Sequence, residues 1–184
     1  MMMNENKGIQ RMTCALEKRL YKYPSLFKLY SFPYSGVVQR EIELGGITSD
    51  DVVLNVGCGP LPFTAVHIAG MSGAKVFAVD NDKRAVKLAT ELVKKLGLSN
   101  LIEVLQCDGK EHIPVDFNKA VMALHVEPKM EVLKNLLTRS DVVMRSPRGS
   151  LKESYGLHSM HFTPSASTKH LMPTFDRSYL FTDG

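Results

Sequence analysis

The chain has 184 residues, enough for one domain with a sizeable core. Hydrophobic residues make up 44% and charged residues 23%, the balance of a soluble globular protein. No apolar run approaches the roughly 18 residues of a membrane span. The start, MMMNENKGIQRMTC, lacks the apolar core and small-residue cleavage site of a secretory leader, so a cytoplasmic location and no membrane partner are expected. A net charge of +4 without a dense Lys/Arg stripe predicts no nucleic-acid partner. Cys14, Cys58 and Cys107 show neither zinc spacing nor an even count for disulfides.

In chain order, Ile9, Met12, Leu16 and Leu20 recur at helical spacing and predict an amphipathic helix over 5–22. Tyr23, Pro24 and Ser25 interrupt it, and an aromatic stretch follows. Val38, Ile42 and Leu44 predict a second helix, stopped by Gly45 and Gly46. From there strands and helices alternate. Strands are expected at 52–56, 75–79, 101–106, 119–124 and 141–145, with helices at 61–69, 82–96 and 129–138. Asp82 caps the helix at 82–96, Lys94 and Lys95 occupy its last turn, and Gly97 ends it. Phe162 and the residues 179–181 suggest closing strands. The alternation predicts an α/β, Rossmann-like open and mostly parallel sheet flanked by helices, with residues 1–48 as a helical N-terminal segment and 49–184 as the ligand-binding domain.

The central feature is VVLNVGCGPLPFTA, where an apolar strand runs into Gly57-Cys58-Gly59 and a helix begins. Glycine permits a tight turn and lets backbone amides approach a ligand. Asp80 ends the next strand about 20 residues on, the spacing at which a carboxylate meets a ribose hydroxyl. A dinucleotide site would want a third glycine. Here Pro60-Leu61-Pro62 follows and removes two amide donors that a pyrophosphate would use. A phosphate-free nucleotide such as S-adenosylmethionine fits better. Asp108, followed by Gly109, lies just beyond the third strand. It reads either as an acceptor for an adenine amino group or as a loop acid in a turn.

These segments resemble the class I S-adenosylmethionine-dependent methyltransferases over about residues 50–146. NVGCG is similar to their glycine loop, Asp80 with Asn81 to their ribose end, and Asp108 with Gly109 to their adenine side. Asn55 stands where that family often has an acid. A narrower resemblance is to the nicotianamine synthases. GCGPLPFTA at 57–65 is similar to their G-x-G-P-L-P-x-T segment, and VVMRSPRG at 142–149 and LHVEP at 124–128 resemble their fifth and fourth strand exits. FPY at 32–34, followed by Glu41, resembles the aromatic-then-glutamate segment lining their substrate side. The chain is much shorter than those synthases.

The resemblance implies transfer of a 3-amino-3-carboxypropyl group from S-adenosylmethionine to a small-molecule amine or amino-acid acceptor. It implies Glu41 as the base with Tyr34 beside it. Asn55, Gly57, Cys58, Gly59, Pro60, Asp80, Asn81, Asp108 and Gly109 would then hold the donor, and Glu127 and Arg145 would face the acceptor. From the bare sequence, Glu41 and Glu43 read instead as a solvated helix face, and Arg145 and Arg148 equally as surface charge. Cys58 reads as a packing residue. The six histidines show no metal-binding pattern, so no metal is expected. A methyltransferase and a non-catalytic S-adenosylmethionine-binding module are the alternatives, and a homodimer is compatible with the sequence.

Overall fold

A computed structural model describes residues 24–148 and 162–182. The helix expected at 5–22 lies outside them. Helix α1 (Pro24–Gly45) is continuous. It unites the aromatic stretch with the expected second helix and carries Pro33 in its interior. Proline is well tolerated where the helix starts, at Pro24, but an interior proline forfeits a backbone hydrogen bond. Packing on both sides of Pro33 offsets that loss. Phe27 and Tyr34 both lie against the ring of Phe63, and Val37 and Val38 are buried one turn later.

After α1 come β1 (Val52–Val56), α2 (Phe63–Ser72), β2 (Lys75–Asp80), α3 (Lys83–Lys95), β3 (Ile102–Gln106), β4 (Lys119–Met122), α4 (Lys129–Leu137) and β5 (Asp141–Pro147). A hairpin of β6 (Ala166–Lys169) and β7 (Phe175–Phe181) follows. The seven strands lie in the order β3-β2-β1-β4-β5-β7-β6. β1 to β5 pair in parallel, and β7 runs antiparallel to both β5 and β6. The fold is therefore the expected Rossmann-like α/β sheet. Two expectations change. β6 carries no apolar alternation (Ala-Ser-Thr-Lys) and went unread, because an edge strand need not bury a face. Phe162 lies in a bend before β6 and not in a strand.

Alternate residues of the central strands face opposite layers. Val53, Val76, Ala78, Val121 and Val143 pack under α1, α2 and α3. Leu54, Val56, Phe77, Val79, Met122 and Met144 pack against α4, Ile113 and Phe117. Burial on both faces explains why these strands read as unbroken apolar runs. Helix α1 lies on α2 and reaches β5, β6 and β7. The strand order reverses between β1 and β4, and the crevice at their carboxyl ends is where such sheets bind ligands. Among the described residues no helix is long and apolar enough to cross a membrane.

The Asp82 side chain accepts from the Arg84 backbone N–H at 2.8 Å and caps α3 as expected. Asp82→Ala should cost about 1 kcal/mol, read as a lower urea midpoint at unchanged slope.

Candidate functional site

The loop after β1 turns through Gly57 and Gly59, both at positive φ, 76° and 63°. The Gly57 and Cys58 N–H groups donate to the Val79 carbonyl, at 2.9 and 3.1 Å. The loop is thus stitched to the neighbouring strand. A Cβ on Gly57 would meet Val126 Cγ2 at 2.6 Å, whereas one on Gly59 would meet nothing within 4 Å. Gly57 is required by packing, and Gly59 leaves open space.

Asp80, at the end of β2, accepts from the Gly59 N–H at 2.8 Å through Oδ2 and from the Asp82 N–H at 3.0 Å through Oδ1. A carboxylate has about four acceptor positions, so two remain. Asp80 and Asn81 line a cavity of about 210 Å³ together with Gly57, Asp108, Gly109, His125 and Glu127. Asp108 accepts from the Lys110 N–H at 3.2 Å, with Lys110 Nζ at 3.6 Å. Gly109 has no room for a side chain, since a Cβ would sit 2.9 Å from Val56 Cγ1.

A second cavity, about 230 Å³, also reaches the loop, at Gly57 and Cys58. Tyr34, Cys58, Phe63, Thr64, Arg145 and Phe175 contribute to its wall. Gly57 and His125 border both cavities, so the two adjoin at the end of β1. Burial holds the His125 imidazole below its usual value, helped by the Lys129 charge. Burial, with the Asp80 charge, pushes the Cys58 thiol up to about 12, which makes it a packing group and not a thiolate.

Glu41 is not on a solvated face: it is 0% exposed. Its carboxylate accepts from Arg145 Nε at 2.8 Å and Nη2 at 2.6 Å, and from Ser178 Oγ at 2.7 Å. Arg145 is 5% exposed, so it is not surface charge either. Although burial opposes its charge, the Glu41 carboxylate raises the guanidinium further above its usual value. The signal that separates Glu41 from Glu43 was in the sequence. Phe27, Ser31, Tyr34, Val38, Glu41 and Gly45 recur every three or four residues along one stripe, and Glu43 falls off it.

The residues named from sequence thus divide. Gly57, Asp80, Asn81, Asp108, Gly109 and Glu127 gather in the first cavity, and Tyr34, Cys58 and Arg145 in the second. Glu127 therefore faces the Asp80 side and not the Arg145 side. None of Glu41, Asn55, Gly59 and Pro60 lines either cavity. Glu41 sits behind Arg145. Asn55 is buried beneath the loop, with Nδ2 donating to the Val121 carbonyl at 3.2 Å and Oδ1 given no partner among the described residues. Sequence reasoning missed His125 and Phe175, whose positions depend on long-range closure. It also missed Lys129, buried at the start of α4, whose Nζ donates to the Ala123 carbonyl at 2.9 Å. Burial, with the Arg145 charge, pulls the Lys129 ammonium down to about 7. Among the described residues no three His, Cys, Asp or Glu side chains come together as metal ligands.

Two outcomes follow from this geometry. Gly57→Ala should destabilise by about 1–3 kcal/mol, and adding Val126→Ala should recover part of that loss. Gly59→Ala should carry only the cost of its positive φ, unrelieved by Val126→Ala. Urea unfolding of the four variants checks both. Folded Lys129 releases its proton at lower pH than the unfolded chain does. Between about pH 7 and about pH 10 the unfolded state therefore binds more protons, and stability rises with pH. Lys129→Met lacks this contribution, so wild type should gain on it across that window. A constant gap would show that the ammonium is well solvated.

No family model matches the chain. It is similar to L-histidine 2-aminobutanoyltransferase from Yersinia pestis, at 32% identity over 135 residues, which is 73% of this chain and 49% of the relative. The chain thus spans about half the length of the curated relative it matches. A mutant of MtNAS, a nicotianamine synthase, in complex with S-adenosylmethionine superposes with a TM-score of 0.77 at 19% identity, over 95% of this chain and 73% of that one. An RNA methyltransferase from Salinibacter ruber, in complex with S-adenosyl-L-homocysteine, gives 0.64 at 21% identity, over 80% and 90%. The structural likenesses concern the fold. They place the chain on the Rossmann-like α/β fold that these solved structures share, and the sequence match is to the aminobutanoyltransferase over about half of its length.

Proposed function

We propose that the chain binds S-adenosylmethionine across the two adjoining cavities and transfers its 3-amino-3-carboxypropyl group to the amine of an amino-acid-like acceptor. The observation that carries this reading is the junction at Gly57. A cavity edged by the Asp80 carboxylate opens there onto one walled by an anchored guanidinium, Arg145. The sequence likeness to an aminobutanoyltransferase supports it.

In this reading the unused acceptor positions of Asp80 take ribose hydroxyls, with Asn81 beside it, and Asp108 and Gly109 meet the adenine edge. Gly59 fixes Asp80 through its N–H, and Cys58 and Pro60 shape the loop. Asn55 supports the loop from beneath. Arg145 offers a carboxylate its remaining N–H groups, the fork geometry suited to that anion. Tyr34 stacks on Phe63 at 5.3 Å and lines the same cavity.

S-adenosylmethionine supplies a sulfonium: its sulfur keeps the electron pair of the broken carbon–sulfur bond, and the amine nitrogen bonds to the freed carbon. Which carbon is attacked depends on where the protein holds the amine. The acceptor ammonium must lose a proton before it attacks. Glu41 is placed to hold Arg145 rather than to take that proton directly, because Arg145 separates it from the cavity and both its oxygens already accept hydrogen bonds. His125, a largely neutral imidazole bordering both cavities, is placed closer to that step.

Incubation with S-adenosylmethionine and L-histidine should release methylthioadenosine, quantified by mass spectrometry. Release of S-adenosylhomocysteine instead would make the protein a methyltransferase, and release of neither, with binding retained, a binding module. Asp80→Ala should weaken S-adenosylmethionine binding by about 1.5–3 kcal/mol in calorimetry. Equal binding would remove Asp80 from the site.

A further inference from the structure

We infer that Ser178 and His170 are positioning residues: they fix the Glu41 carboxylate and, through it, the edge of Arg145 that receives a ligand carboxylate. This rests on the reading of the second cavity given above, and it assigns a role to the β6–β7 hairpin.

Arg145 and Ser178 are directly opposed on β5 and β7, and both project toward α1. Ser178 Oγ lies 2.7 Å from Glu41 Oε1 and 2.9 Å from His170 Nε2. The far ring nitrogen of His170, Nδ1, faces Arg40 Nε at 3.4 Å. A guanidinium N–H only donates, so Nδ1 must be bare. A neutral His170 then carries its proton on Nε2 and donates it to Ser178. The Ser178 hydroxyl, its lone pair so engaged, donates onward to Glu41. Every bond in the chain Arg40–His170–Ser178–Glu41 thus points the same way. Glu41 receives it from one side and the Arg145 fork from the other.

Charge and burial agree with that direction. His170 is buried, and burial holds its imidazole below the usual value. The Glu41 and Asp176 charges oppose that shift, and those of Arg40 and Arg145 add to it. Glu41 and Ser178 are both 0% exposed, so no water competes for these bonds. One ring, Phe175, lies edge-on to His170 at 5.5 Å and under the Arg145 guanidinium at 5.5 Å.

The consequence is geometric. With Nε and Nη2 bound to Glu41, Arg145 has no acceptor for Nη1 among the described residues, and it lines the cavity. A carboxylate held by three directional donors has one rotamer, and so has the guanidinium locked to it. Without Ser178 the carboxylate turns about its terminal bond, and the free edge of Arg145 turns with it. Loose support of this kind degrades a site without removing it. The ligand group is an α-amino-acid carboxylate, which both S-adenosylmethionine and an amino-acid acceptor carry.

The test uses Ser178→Ala and His170→Phe, which keeps the ring against Phe175, with Ser178→Thr restoring a hydroxyl. Calorimetry measures S-adenosylmethionine, methylthioadenosine (which has no carboxylate) and L-histidine in the presence of methylthioadenosine. Methylthioadenosine should bind all variants as it binds wild type. Either S-adenosylmethionine or L-histidine should bind about tenfold more weakly to the first two variants and recover in Ser178→Thr, and which one falls identifies the carboxylate that Arg145 receives. Unchanged binding of both carboxylate ligands overturns the inference. Equal weakening of methylthioadenosine overturns it too, since it would mark general damage. A wild type that binds neither nucleotide overturns the underlying reading of the site, before any variant is made.

Discussion

The ion pair of Glu41 and Arg145, sealed between α1 and the sheet, is the constraint around which the site is arranged. Taking two charges out of water is costly, and an ion pair in an interior regains that cost only when its geometry is good and its remaining polar atoms are satisfied. The first condition is met by the two-point contact of the guanidinium, and the second is met for Glu41, whose third bond comes from Ser178, while Arg145 keeps Nη1 for the cavity. An apolar pair of similar volume would pack α1 on β5 as well, so stability alone does not account for it. What the pair adds is register. Helix α1 settles against β5 and β7 at the height where Glu41 meets Arg145, and that height brings Tyr34 to the cavity wall.

From this follows the division of labour along the carboxyl edge of the sheet. The ends of β1, β2, β3 and β4 build one compartment, edged by the Asp80 carboxylate. The β4 and β5 ends, roofed by α1 and the hairpin, build the other around a fixed cation. The glycine loop lies where they meet, with Gly57 close against Val126 and bonded to the Val79 carbonyl. A loop so constrained holds the two compartments at a constant spacing.

Lys129 lines neither compartment but braces the exit of β4, whose Ala123 lines the second. A lysine buried within reach of a buried arginine is an unfavourable arrangement, tolerated because its Nζ reaches the Ala123 carbonyl at the exit of β4. That bond holds the segment carrying His125 against the start of α4. Sites that need a rigid wall accept such local costs.

The sheet, its crossovers and the Asp80 side of the site were legible in the sequence, because each depends on local signals. Apolar runs mark buried strands, glycine marks a turn at positive φ, and an acid at a strand end marks the edge of the crevice. The capping of α3 by Asp82 is equally local. Of the other half, the resemblance named Glu41, Tyr34 and Arg145 and the α1 stripe turns Glu41 inward, but which groups pair there was not legible. Glu41 and Arg145 are 104 positions apart, and Glu41 and Ser178 are 137 apart. A charge reads as solvated until the fold reveals a partner of opposite sign in the same sealed space. Strand β6 has no apolar period to read, yet with β7 it places Ser178 opposite Arg145. Sequence therefore determined where the glycine turn forms, and tertiary structure decided which buried charges pair, because pairing depends on what the chain brings together from afar.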